Sequence, residues 1–216
     1  MVTNTRCYLT VACLSLALMG GLLVVGCAGT TKPASYYVQQ GWVQFAAGHF
    51  DEAIAHLNKA IKIDPENADA YSFRGLVHGV TGKFDKALAD FNKVIEINPE
   101  ADNAFVNRAM VYTAKGQYDQ AIADCNTAIA INPQNATAYT NRGVAHREKG
   151  QYEQANADFD KVIEIKPTDA KAYVRRGFLY MDNLKNRIRA CSDWKKACEL
   201  GECEKYNEAK EQGVCE

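Results

Sequence analysis

Residues 70–99 read AYSFRGLVHGVTGKFDKALADFNKVIEINP, two segments of helical apolar period with Gly82 between them and Asn98-Pro99 behind them. Gly82 suits the left-handed position after a first helix. Asp85 falls in the first turn of a second helix, where the dipole favours an acid. Proline lacks an N–H and restricts the residue before it, so the Asn98-Pro99 step ends that helix. The spacing predicts helices over 70–81 and 85–97.

The same stretch recurs along the chain. Pro65, Pro99, Pro133 and Pro167 are 34 residues apart, and so are Gly48, Gly82, Gly116 and Gly150. Ala53, Ala87, Ala121 and Ala155 keep the period, as do the aromatics Phe50, Phe84, Tyr118 and Tyr152. Self-similarity at such a period marks a stack of helix pairs. The fold class expected is therefore all-α.

These residues resemble the tetratricopeptide repeat, which implies a right-handed superhelical α-solenoid. In that register the copies are 34–67, 68–101, 102–135 and 136–169. The family's early aromatic matches Tyr37, Tyr71, Phe105 and Tyr139. Its small inter-helix residue matches Gly41, Gly75, Ala109 and Gly143, and its large second-helix residue matches Leu57, Phe91, Cys125 and Phe159. A degenerate fifth copy spans 170–201. Its turn at 183–186 lacks the Gly-x-aromatic pattern, and Ala190, Trp194 and Ala197 come one residue late. Segment 202–216 reads as a capping helix with a cysteine-stapled tail, which an array needs to cover its last stacking face.

Aligning the copies exposes a charge pattern. Arg74, Arg108, Arg142 and Arg176 share one first-helix position; Asp90, Asp124, Asp158 and the shifted Asp193 share one second-helix position. An ion pair between the two helices of each repeat is expected. The first copy has Gln40 and His56 instead.

Of the eight cysteines, Cys125 reads as a small buried hydrophobe, and Cys191, Cys198, Cys203 and Cys215 cluster at the C-terminus. Cys191 and Cys198, seven apart on one helix, lie roughly 10.5 Å from each other, too far for a bridge. Four cysteines allow three pairings, and this distance weighs against one; if the tail folds back as a hairpin near Gly201, Cys198 meets Cys203 and Cys191 meets Cys215. The rival reading, a zinc site, fits their spacing poorly.

The N-terminal region has Arg6 and then no charge from Cys7 to Val25, which reads as a secretory signal or, alternatively, as an uncleaved anchor. Val24-Val25-Gly26-Cys27 resembles the lipobox of bacterial lipoproteins. That resemblance implies a signal peptide over 1–26, lipidation of Cys27, a tether over 27–34 and a place in the cell envelope on the periplasmic face. Ala28, where an Asp would retain the protein at the inner membrane, points to the outer membrane.

A net charge of -1 argues against nucleic-acid binding. No phosphate-binding glycine loop, metal-binding His-Glu-x-x-His or nucleophile elbow occurs. His78 and His146 share a repeat position with Tyr112 and Tyr180 and read as packing residues. No enzyme, cofactor, catalytic residue, metal or small-molecule substrate is expected. The resemblance instead implies a concave groove lined by first helices, with Trp42, Phe73, Asn103, Asn107, Met110, Asn141, Arg147, Lys171, Arg175 and Phe178 among its residues and Val106 beside them. It grades from aromatic to amide and basic. Asn141, Lys171 and Arg175 match part of a carboxylate clamp that some family members carry. The function expected is a membrane-anchored scaffold that binds a partner protein or peptide, with assembly of an envelope machine as the pathway class; the alternative is a periplasmic holdase.

Overall fold

The computed structural model describes residues 32–215. The expected signal peptide, Cys27 and most of the tether lie outside them. The described residues form eleven α-helices and no strand. They pair as α1 (Ala34–Ala46) with α2 (Phe50–Ile63), α3 (Ala68–Val80) with α4 (Phe84–Ile97), α5 (Asp102–Ala114) with α6 (Tyr118–Ile131) and α7 (Ala136–Glu148) with α8 (Tyr152–Ile165). α9 (Ala170–Phe178) pairs with α10 (Arg187–Glu199), and α11 (Glu204–Glu211) closes the array.

Each helical boundary has a local cause. Gly48, Gly82, Gly116 and Gly150 adopt φ between 72° and 80°, a region open to glycine at no steric cost. Asn98 and Asn132 leave their helices with extended backbone just before proline. Asn67 and Asn135 cap α3 and α7 by accepting the Ala70 and Ala138 N–H groups at 3.0 Å.

Within a repeat, glycine lets a large side chain reach the facing helix. A Cβ added at Gly75 would sit 2.8 Å from the Phe91 ring, one at Gly143 2.9 Å from Phe159, and one at Gly41 2.7 Å from Leu57. The third repeat inverts the arrangement, with Ala109 opposite a fully buried Cys125. Burial pushes the Cys125 thiol up to about 12, so it is inert packing material.

Between repeats, the first helix of one copy lies on the second helix of the copy before. Val77 packs with Leu57 and Ala53, Val111 with Phe91 and Ala87, Ala145 with Cys125 and Ala121, and Leu179 with Phe159 and Ala155. The core is thus a chain of small clusters, each shared by neighbours only.

The late register of the fifth copy has a structural form. Residues Leu179–Asn183 make a π-helical turn in which the Leu184 N–H donates to the Leu179 carbonyl at 3.0 Å. Lys185 then takes φ 52°. The extra residue is absorbed there, and α10 still meets α9. The cap packs Ala209, Cys215 and Val214 onto Tyr180, Trp194 and Met181. Disulfides join Cys191 to Cys215 and Cys198 to Cys203, with Cα atoms 5.6 and 3.9 Å apart.

Candidate peptide-binding groove

The groove's geometry rests on a ladder of arginines that holds successive repeats in place. Arg108 donates from Nε and Nη2 to both oxygens of Asp124, at 2.7 and 2.6 Å. Arg74–Asp90, Arg142–Asp158 and Arg176–Asp193 repeat this fork. The remaining nitrogen, Nη1, crosses to the preceding repeat. Arg74 donates to Asn58, Arg108 to Asn92 and Arg142 to Asn126, each at 2.6 Å, and Arg176 donates to Asp160 at 2.5 Å. Each guanidinium also lies over the aromatic ring three residues earlier, at 5.3 to 5.7 Å.

Charge-assisted bonds of this kind favour the protonated arginine. The bonds to Asp124 and Asp158 raise the pKa values of Arg108 and Arg142 against the opposing effect of burial. Burial is the largest influence on Arg176, yet the bonds to Asp193 and Asp160 outweigh it and hold its pKa up. The pairing within each repeat matches the sequence expectation. The reach to the preceding repeat went unread, although Asn58, Asn92, Asn126 and Asp160 keep the 34-residue period.

Two hollows open along the first-helix side. Near α1, Trp42 packs against Phe45 and Phe73 with ring centroids 5.6 and 5.3 Å away. Trp42, Phe73, Ser35, Gln39 and Asp69 line a hollow of about 330 Å³ there. Between α3 and α5, Asn107 and Met110 join Leu76, Gly79 and Val80 around an apolar hollow of about 220 Å³. Met110 is 50% exposed and Trp42 46%. Large apolar groups at that exposure offer a partner surface to cover.

The polar candidates divide. Asn103 is exposed in the first turn of α5. Asn141 on α7 is half-buried, and its Nδ2 has no hydrogen-bond partner among the described residues. Arg147 is turned to its neighbour, donating to Glu148 at 3.1 and 2.6 Å. Lys171 is exposed and Arg175 half-buried, and among the described residues neither makes an ion pair. A carboxylate could therefore approach both without displacing a resident partner.

Two expectations change. Val106 is 2% exposed and packs with Phe105, Ala128 and Ala138, so it belongs to the core and not to the groove lining. Phe178 meets Trp194 edge-on at 5.5 Å, with Lys205 Nζ 5.7 Å from its ring, so the cap covers much of it. Both follow from helix periodicity, which gives a side chain's angle on its helix but not what packs beside it.

His78 is buried, its Nδ1 has no hydrogen-bond partner among the described residues, and burial lowers its pKa. His146 donates from Nδ1 to the amide oxygen of Gln151 at 2.6 Å. Among the described residues no three His, Cys, Asp or Glu side chains come together as a metal site.

Comparison with known proteins fits this geometry. The TPR repeat family matches residues 41–79, 109–148 and 145–183. Two further tetratricopeptide repeat descriptions match 68–100 and 91–123, which leaves no gap between 41 and 183. No curated protein sequence matches the chain. Among solved structures, MamA is 26% identical with a TM-score of 0.64, covering 83% of this chain and 94% of its own. YrrB, a TPR protein described as having an unusual peptide-binding site, is 22% identical with a TM-score of 0.62 over 83% and 92%. Pseudomonas aeruginosa pilF is 18% identical with a TM-score of 0.71 over 78% and 76%. Helix pairs of one period, glycine-gated packing within them and these matches place the chain in the tetratricopeptide repeat family.

Proposed function

We propose that the chain is a membrane-anchored scaffold of a bacterial cell envelope that holds a partner protein or peptide in its first-helix groove. The observation that carries this is the two hollows along the first helices, one at Trp42 and Phe73 and one at Met110, mounted on a ladder-braced frame and followed by Lys171 and Arg175, neither of which makes an ion pair among the described residues. Apolar anchors beside polar groups suit an extended segment whose side chains and backbone are both recognised. The lipobox-like Val24-Val25-Gly26-Cys27 supports a lipid on Cys27 and a place on the periplasmic face, with the outer membrane favoured by Ala28. Several acyl chains hold a protein to a bilayer where one binds marginally. YrrB's peptide-binding site supports peptide capture, and service to an envelope machine is the pathway class proposed.

Photo-crosslinkers placed at Trp42 and Met110 in cells test the reading, with Glu164 on a second helix as control. A few stoichiometric partners captured from the groove positions alone are expected. Many substoichiometric partners would assign a holdase instead, and equal capture from Glu164 removes the groove. Separately, Cys27→Ser should abolish acylation and release the protein from the membrane fraction.

A further inference from the structure

The junctions between repeats share one polarity. The second helix of each copy supplies acceptors, and the next copy supplies cations. The arginine ladder shows this at Asn58, Asn92, Asn126 and Asp160. Lys115 and Lys149 add a second link by donating to Asp85 and Asp119 at the start of α4 and α6. With its one-residue slip, α10 aligns Lys195 with the first acceptor row and Ile188 with Asp51, Asp85, Asp119 and Glu153. Both acceptor rows are therefore broken on the last second helix. Lys195 is exposed and makes no ion pair among the described residues, and Ile188 is 84% exposed. The arginine of a further repeat would meet an ammonium there, and like charges repel.

That seam is also open. α11 has 8 residues where the first helices α3, α5 and α7 have 13. Between α10, α11 and the tail lies a hollow of about 630 Å³, larger than either hollow of the groove. Its lining holds two cations, Arg187 and Lys195, and no carboxylate. Arg187 donates to the Gly213 and Val214 carbonyls, which hold it in place without neutralising it. Cys191 stands between the two cations on the same row of α10, and Cys215 and Val214 join it as an apolar floor. We propose that this hollow docks an acidic segment of a partner protein, with two carboxylates on the cations and an apolar side chain on the Cys191–Cys215 bridge. Arg187 and Lys195 are eight residues apart, roughly 12 Å along the helix. An extended strand advances about 3.3 Å per residue and turns every second side chain to one face. A Glu-x-Leu-x-Glu segment therefore places its carboxylates at that spacing with the leucine between them. The hollow shares no residue with those at Trp42 and Met110, so the proposal stands or falls apart from the peptide groove.

The test is fluorescence polarisation of a dye-labelled peptide carrying one Glu-Gly-Leu-Gly-Glu block, titrated with the full chain in which both disulfides are formed. A Gln-Gly-Leu-Gly-Gln peptide is the control. The acidic peptide should bind about tenfold more tightly than the control, and less tightly as salt rises. Lys195→Asn restores the acceptor of the other repeats at an exposed position and should remove most of that difference. Ile188→Asp, also at an exposed position, is a second variant and should weaken binding likewise. Both should melt at the wild-type temperature. Trp42→Ala and Met110→Ala should leave the affinity unchanged. Equal affinity for the two peptides, or for wild type and Lys195→Asn, overturns the inference. Loss of binding in Trp42→Ala assigns the acidic peptide to the first-helix groove and also overturns it. So does binding that appears only in Glu216→Gln, which would mean that Glu216 itself takes the cations. Absence of binding to both chains does the same.

Discussion

Cys125 occupies the place that Leu57, Phe91 and Phe159 fill in the other repeats, and it faces Ala109 where they face glycine. Close packing makes the two sites one choice. Cys125→Phe alone should destabilise the protein by about 1–3 kcal/mol through overpacking, and adding Ala109→Gly should recover most of it, read as urea midpoints at constant m-value. His78 yields a pH prediction. Burial places its folded pKa below the ordinary 6.5. Between those values the unfolded chain binds more protons, so stability rises with pH. It is complete above the unfolded pKa and is lost as pH falls from there towards the folded pKa. His78→Tyr, borrowing the residue used at Tyr112 and Tyr180, should flatten that acid-side slope. Both the small–large pairs and the packing role of His78 were legible as periodic positions. The inversion at Ala109 and Cys125 was visible too, but its meaning required knowing that the two side chains touch.

At the scale of elements, the fifth repeat shows how an array ends. One additional residue in the turn would rotate the following helix by about 100° on its axis. The π-helical turn at Leu179–Asn183 and the left-handed Lys185 absorb it, so Asp193 still meets Arg176. Lys185→Gly should stabilise the protein by up to about 1 kcal/mol, since a side chain at positive φ carries strain that glycine lacks. The cap depends on its staples. Removing the Cys191–Cys215 bridge with paired serines frees a loop of 24 residues and should cost about 3 kcal/mol, seen as a lower melting temperature and early proteolysis within α11. The sequence showed a slipped register and a cysteine cluster. It did not show that a π turn would take up the slip, because many loop geometries can hide one residue.

For the molecule as a whole, stability should pass from repeat to repeat, as in other quasi-one-dimensional arrays. The arginine ladder is the polar part of that coupling. Arg108 joins α5 to Asp124 in its own repeat and to Asn92 in the one before. Arg108→Gln should lower global stability by about 2 kcal/mol, because it strands a buried carboxylate. The double-mutant cycle with Asp124→Asn should return a coupling near 1 kcal/mol. Hydrogen exchange in Arg108→Gln should rise first along the seam between α4 and α5. An unchanged seam would confine the arginine to its own repeat.

Composition and period were enough to specify helix pairs, their turns, their glycine-gated contacts and the salt bridges inside each repeat. All of those are short-range and recur at a fixed spacing, so comparing copies reveals them. The fold had to be built before the third arm of each arginine, the burial of Val106 and the covering of Phe178 could be seen. These depend on which side chains from separate repeats arrive at the same point. That is set by how the superhelix stacks, and a periodic pattern carries no coordinate for it.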